Sequence, residues 1–262
     1  MIESNIKPNV LTWNAVIDCW AKSRKKFAGL EAEKVLRCMN DIYSKTGKRE
    51  DLPTIFIYNS VLDAWGKSGA KNASNRTIAI LDQLESRAND RNSIRPNHVT
   101  YSIVIGSIAK SSERKKSKKA EKMLDRMISS GVKPNIICYN TVLNACAYDI
   151  SSAEQAYETA LQVMKRMHST HHKPNNITYM TMIRACQNLI QSKTYRDEEV
   201  ERIFLESCKR GECCDTVLRS FKYCASVELQ LRLFCCNETE LAKIMVENLS
   251  ESCSRNVKMR CK

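Results

Sequence analysis

A pattern written five times along the chain sets the terms on which it can fold. A unit of about forty residues with an exposed apolar face can cover that face only by stacking on the next unit. The segments IKPNVLTWNAVIDCWAK from Ile6, LPTIFIYNSVLDAWGK from Leu52, IRPNHVTYSIVIGSIAK from Ile94, VKPNIICYNTVLNACAY from Val132 and HKPNNITYMTMIRACQN from His172 share it. They align on Pro8, Pro53, Pro96, Pro134 and Pro174, which stand 45, 43, 38 and 40 residues apart. After each proline comes an apolar quartet spaced i, i+3, i+4, i+7, such as Trp13, Val16, Ile17 and Trp20 or Tyr139, Val142, Leu143 and Cys146. That spacing places four side chains on one helix face. A second quartet follows in every unit, as in Thr77, Ile80, Leu81 and Leu84, so each unit reads as a helix pair. Small residues stand where successive first helices would cross, at Cys19, Ala64, Ser107, Ala145 and Ala185. The fold class that follows is all-α, a right-handed α-solenoid of stacked helix-turn-helix repeats.

Composition agrees. Seven Gly and five Pro among 262 residues are too few for an all-β sandwich or barrel, where a turn recurs every ~8–12 residues. No run of ~18 apolar residues occurs, so no segment reads as a membrane-spanning helix. Lys and Arg number 42 against 29 Asp and Glu, a net charge of +13, of which +10 lies before residue 216. Such a surface favours a polyanionic partner, nucleic acid or an anionic membrane face. The 13 Cys include no CxxC pair and Met1 opens no secretory signal, which points to a reducing compartment.

Residues 1–9 read as the end of a truncated repeat, followed by repeats at 10–54, 55–97, 98–135, 136–175 and 176–215. A divergent repeat or helical cap is expected over 216–249 and a basic, disordered tail over 250–262. Within the cap Ala225 takes the small-residue position, Arg219 replaces the aromatic, Lys222 replaces an inward aliphatic, and Glu238 to Leu249 reads as an amphipathic helix. Because the chain opens inside a repeat, it is expected to be a fragment of a longer protein, with any organelle transit peptide upstream.

The unit consists of Lys or Arg, Pro, Asn, two free positions, Thr or Cys, Tyr or Trp, then Asn, followed by two helices. In this it resembles the pentatricopeptide repeat family, from Met1 to about Asp215. A tetratricopeptide reading fits less well, since the proline precedes the first helix and every interval exceeds 34 residues. The resemblance implies single-stranded RNA as partner, one base per repeat, read by a side chain early in the first helix and another closing the repeat. The early positions are Asn14, Asn59, Ser102, Asn140 and Met180, and the closing ones Thr54, Asn97, Asn135, Asn175 and Asp215, with Asn9 closing the truncated unit. An Asn amide carries both a donor and an acceptor and suits a Watson–Crick edge. Leu11, Phe56, Val99, Ile137 and Ile177 would wedge between successive bases. By resemblance, Asn59 with Asn97 and Asn140 with Asn175 prefer a pyrimidine and Ser102 with Asn135 adenine, giving pyrimidine, A, pyrimidine from 5′ to 3′. Thr54 and Met180 depart from the pattern.

Lys22, Lys67 and Lys110 recur near the end of the first helix and are candidate phosphate contacts, although lysine there also complements the helix dipole. The runs Arg24-Lys25-Lys26 and Arg114-Lys115-Lys116 with Lys118-Lys119 read as solvated inter-helix turns. Eight Cys fall after residue 205, but the doublets Cys213-Cys214 and Cys235-Cys236 lack the spacing of a zinc site and no His accompanies them, so thiols are expected and no metal. The four His join no Glu and Cys pair of the zinc-deaminase kind. No cofactor and no catalysis are expected. The family implies a role in organellar RNA processing, stability or translation, in a mitochondrion or plastid, with RNA-processing or ribosomal proteins as further partners. Two alternatives stand: a protein-binding α-solenoid scaffold, and the RNA-recognition fragment of a longer RNA-processing enzyme.

Overall fold

A computed structural model describes residues 8–86, 94–170 and 172–234. The described residues form α-helices, two short 3-10 turns and no strand. The helices are α1 (Val10–Ser23), α2 (Ala28–Thr46), α3 (Ile55–Ser68), α4 (Ala73–Ser86), α5 (His98–Lys110) and α6 (Lys116–Ser129), then α7 (Ile136–Ala147), α8 (Ala153–Ser169), α9 (Asn176–Leu189), α10 (Lys193–Lys209), α11 (Asp215–Cys224) and α12 (Val227–Phe234). Residues 1–7, the expected helix at 238–249 and the tail from 250 lie outside the described residues. Two compact units are present. Residues 1–113 and 122–134 make the first, 114–121 and 135–262 the second, with α6 divided between them.

The start of each first helix is dictated locally. Pro restricts the residue before it to extended backbone, and the Asn that follows caps the helix. Asn9, Asn97, Asn135 and Asn175 all lie in the β region, and their Oδ1 atoms accept from the N–H of Thr12, Thr100, Cys138 and Thr178, respectively, in the first turn. Each such cap is worth about 1 kcal/mol. Helix ends follow a second rule. The residues φ +61° at Gly47, +66° at Gly69, +77° at Gly131 and +72° at Gly211 occupy the left-handed region, where a Cβ is costly.

In the first unit α1 packs on α3 and α3 on α5, while α2 lies against α1 and α3, and α4 against α3 and α5. The second unit repeats the scheme, with α7 on α9, α9 on α11, and the second helices α8 and α10 against the first helices on either side. Tyr58, Val61, Leu62 and Trp65 are buried, as are the quartets beginning at Tyr101, Tyr139 and Tyr179. The first quartet differs. Only Ile17 is buried, while Trp13, Val16 and Trp20 are half-exposed and Cys19 is exposed, since no described helix covers the outer side of α1.

Buried carboxylates tie the layers together. Glu33 accepts from Trp65 Nε1 at 3.1 Å and from Arg37 Nη2 at 2.9 Å, and it pairs with Arg76, so α2, α3 and α4 share one charge cluster. In the second unit Asp149 Oδ2 accepts from Ser117 N at 3.0 Å and Ser117 Oγ at 2.7 Å, capping the start of α6. Glu199 accepts from the Tyr157 hydroxyl at 2.6 Å and from Arg202 at 2.6 Å. Phe204 and Phe221 stack with ring centroids 4.2 Å apart and join α10 to α11.

Three expectations shift. Lys116, Lys118 and Lys119 stand in the first turn of α6 and not in the preceding turn, where only Arg114 and Lys115 lie. A helix pair, α11 and α12, follows the fifth unit, one residue out of the expected register. The Schellman closures at Gly131 and Gly211 are alike, with Val132 N donating to Met127 O and Glu212 N to Ser207 O. Three residues separate Gly131 from the cap at Asn135, but two separate Gly211 from the cap at Cys214. The shorter loop puts Cys224, buried, at the small-residue position that was expected for Ala225. The expected aromatic position falls on Leu218, and Arg219 takes the place of the early readers.

Candidate nucleic-acid interface

Counting from the first helical residue brings the proposed readers into a common frame. Asn14, Asn59, Ser102, Asn140 and Met180 are each the fifth residue of α1, α3, α5, α7 and α9. Leu11, Phe56, Val99, Ile137 and Ile177 are each the second, and the fifth residue lies three positions further on the same face. Thr54, Asn97, Asn135 and Asn175 are the residues that cap α3, α5, α7 and α9. Asp215 does not join them. It is the first residue of α11, and Cys214 holds the closing place because of the shorter loop.

The second-position residues are apolar and yet exposed. Leu11 is 77%, Phe56 73%, Val99 41%, Ile137 59% and Ile177 50% exposed, although each sits one residue before a position that is mostly buried. An apolar side chain repeated at one exposed position in five units marks a surface made to be covered.

The amides are held, not loose. In the first unit the Asn59 Oδ1 accepts from the hydroxyl of Thr100 at 2.8 Å. In the second unit Thr178 Oγ1 donates to Asn140 Oδ1 at 2.7 Å, and Asn140 Nδ2 donates to Asn175 Oδ1 at 3.2 Å. Asn59 and Asn140 are both buried apart from their outer edge. Asn14 is half-exposed, and its Oδ1 accepts from Ser60 Oγ at 3.3 Å. Ser102, Asn135 and Met180 are half-exposed, and Thr54 is exposed without a capping hydrogen bond from its side chain. Sequence reasoning passed over Thr100 and Thr178. The signal was present, since Thr stands third in three of the five first helices, at Thr12, Thr100 and Thr178.

Lys22, Lys67 and Lys110 are each the thirteenth residue of their helix. Lys67 pairs with Asp63 at 2.5 Å, and Lys110 Nζ donates to Gly66 O at 3.5 Å, at the end of the neighbouring first helix. Asn188, also thirteenth, donates to Ala147 O at 2.8 Å in the same relation. The thirteenth residue therefore serves the exposed carbonyls of the preceding first helix, a structural role that two of the units share.

Burial pushes Cys146 and Cys186 up to about 12 and Cys224 to about 11, so none of these three is a thiolate at neutral pH. Two thiols differ. A hydrogen bond from Cys213 holds Cys208 below the ordinary thiol value, and Cys214 lies below it too. Burial acts upward on it, but hydrogen bonds from Thr216, the Val217 N–H and Asn176 outweigh that and hold it below the ordinary thiol value. Among the described residues no three His, Cys, Asp or Glu gather as a metal site, and no helix is long and apolar enough to cross a membrane.

Residues 91–221 match the family model described as the pentacotripeptide-repeat region of PRORP. The crystal structure of the pentatricopeptide repeat protein PPR10 in complex with an 18-nt psaJ RNA element is similar, with a TM-score of 0.61 and 18% identity, over 98% of this chain. A second PPR10 structure with the same RNA element, in which three cysteines are replaced by serine, gives the same values. This chain spans 33% of the length of PPR10 in those structures. No curated protein matches it. The likeness extends over nearly the whole chain and identifies the fold as that of stacked pentatricopeptide helix pairs.

Proposed function

Because this chain belongs to the pentatricopeptide repeat family, we propose that it binds single-stranded RNA through the second, fifth and capping positions of its first helices. The observation that carries the reading is an exposed apolar side chain at the second position of every first helix, Leu11, Phe56 and Val99 in the first unit and Ile137 and Ile177 in the second, each three residues from a reader. Bases seated between these side chains present their edges to the fifth residue and to the cap of the next first helix. Asn59 with Asn97, and Asn140 with Asn175, take pyrimidines, and Ser102 with Asn135 takes adenine. Asn14 with Thr54 binds a base loosely. The fifth repeat has Met180 as its early residue and Cys214 at the closing place, and neither sulfur makes a strong hydrogen bond to a base edge. Specificity therefore rests on the three central repeats, and affinity on phosphate contacts from Lys22, Lys67 and Lys110.

The protein acts without catalysis of its own, in organellar RNA processing, stability or translation, in a mitochondrion or plastid. A second reading, the recognition part of a longer RNA-processing enzyme, is favoured by the family model, which describes a repeat region of PRORP. PPR10 itself is seen with an RNA element, which supports RNA as the ligand class.

The test is binding of the purified chain to short single-stranded RNAs carrying pyrimidine-A-pyrimidine and to scrambled controls, at two salt concentrations, beside an Asn59→Ala, Asn140→Ala variant. Preference for the predicted core that disappears in the variant is the expected result. Equal, salt-sensitive binding to every RNA would remove the base-reading role, and no binding would favour a protein-binding scaffold.

A further inference from the structure

We propose that Thr100 and Thr178 are positioning residues that hold the Asn59 and Asn140 amides with their nitrogens outward, so that the second and fourth repeats offer only hydrogen-bond donors and select cytosine over uracil. The inference rests on the base-reading role given above and sharpens it to one base.

A threonine hydroxyl has one proton to give. Thr100 Oγ1 accepts from the Asn97 backbone N–H at 3.1 Å and lies 2.8 Å from Asn59 Oδ1 and 3.1 Å from Asn97 Oδ1. The Asn97 oxygen already accepts from Val99 N at 3.0 Å and Thr100 N at 3.1 Å, which fills its two lone pairs. The proton therefore goes to Asn59, and the amide oxygen of Asn59 is turned inward onto the buried Thr100 hydroxyl.

The fourth repeat repeats the arrangement with one further restraint. Thr178 Oγ1 accepts from Asn175 N at 3.1 Å and donates to Asn140 Oδ1 at 2.7 Å. Asn175 Oδ1 accepts from Thr178 N at 3.1 Å and from Asn140 Nδ2 at 3.2 Å. Turning the Asn140 amide over would set two carbonyl oxygens against each other at that separation, so only one orientation is stable. Thr100 and Thr178 are fully buried, which excludes water as a substitute for either hydroxyl.

Four amide nitrogens remain, those of Asn59, Asn97, Asn140 and Asn175. The nitrogens of Asn59, Asn97 and Asn175 are not among the buried polar atoms left without a partner and so reach solvent, while Asn140 Nδ2 gives one N–H to Asn175 and keeps a second. A ligand there meets donors and no acceptor. Cytosine presents two adjacent acceptors, O2 and N3, on its Watson–Crick edge, whereas uracil presents N3–H between two carbonyls. One of two neighbouring donors then faces the uracil N–H and goes unmet. The third residue is Ile57 in α3 and Val217 in α11, neither of which has a hydroxyl, so the first and fifth repeats lack this device.

The experiment compares RNAs that differ only at the two pyrimidines, C-A-C, U-A-U and a scrambled strand, by fluorescence anisotropy with the full chain. Each cytosine replaced by uracil is expected to weaken binding about tenfold. A Thr100→Val, Thr178→Val variant should bring C-A-C and U-A-U within about threefold of each other, and Thr100→Ser, Thr178→Ser, which keeps both hydroxyls, should restore the difference. If the wild type binds C-A-C and U-A-U alike and both above the scramble, base reading stands and this inference fails. A valine variant that keeps the wild-type ratio, or a serine variant that loses it, removes the role of the hydroxyls. Equal binding of all three strands by the wild type brings down the base-reading role and this inference with it.

Discussion

One carboxamide can serve both folding and recognition: the oxygen of Asn175 caps α9, and in the proposed reading its nitrogen meets a base. Removing it should therefore cost stability as well as binding. Asn175→Ala is expected to lower the unfolding free energy by about 1 kcal/mol in urea titration. Thr54→Ala, at the same position but with no capping hydrogen bond from its side chain, should fall within about 0.5 kcal/mol of wild type. The exposed second-position residues behave in the opposite way. Phe56→Ala should leave the urea midpoint nearly unchanged, because the ring contributes little to the core, yet weaken RNA binding by about 1 kcal/mol or more through lost contact with a base face. At this scale the common helical positions of the proposed readers and wedges were legible in the sequence, since both follow from counting along a repeat. The orientation of each amide was not, because Thr100 lies 41 residues from Asn59 and Thr178 lies 38 from Asn140.

Within the helices, glycine shows how packing overrides propensity. Ala is favoured over Gly inside a helix by about 1 kcal/mol. A Cβ at Gly29 would overlap the Trp65 ring, so the indole could not keep its place or its bond to Glu33. Gly29→Ala is expected to destabilise by roughly 1–3 kcal/mol. At Gly66 the nearest atom is Ser107 Cβ at 3.8 Å, an ordinary contact. Gly66→Ala should raise the melting temperature, and a fall would mean that α3 and α5 approach more closely than that distance indicates. The helix boundaries were largely readable from proline, asparagine and glycine. The slip at Cys214 was not, because a loop shorter by one residue leaves no periodic mark until the buried faces of α11 are seen.

Across the whole molecule, carboxylates and net charge govern the response to solution conditions. Burial acts to raise the carboxyls of Glu33, Asp149 and Glu199. Hydrogen bonds from Arg37, Arg76 and Trp65, from Ser117, Ser151 and Ser152, and from Arg202 and Tyr157 outweigh it and hold all three below their ordinary values. A folded value below the unfolded one means stability that is complete above the unfolded pKa and is lost as pH falls through the folded value. The melting temperature should therefore change little from pH 7 to about pH 5 and drop below about pH 4, and Glu33→Gln should flatten that acid limb while lowering stability at pH 7. Charge should show in salt. Each lysine that contacts phosphate adds about 0.7 to the slope of log affinity against log salt. Lys22→Ala or Lys67→Ala is expected to reduce the slope by about that amount and leave the preference between RNA sequences unchanged.

Periodicity settled the helix pairs and their stacking, because a repeat obliges every unit to bury the same faces and to leave the same ones bare. Five exposed apolar residues at one helical position were therefore predictable from residue counting alone. Tertiary structure decided which polar groups pair across repeats: Trp65 and Arg76 on Glu33, Ser117 on Asp149, Thr100 on Asn59 and Thr178 on Asn140. Hydrogen-bond direction depends on which lone pairs neighbouring helices have already filled, and that is settled only when the helices are in contact.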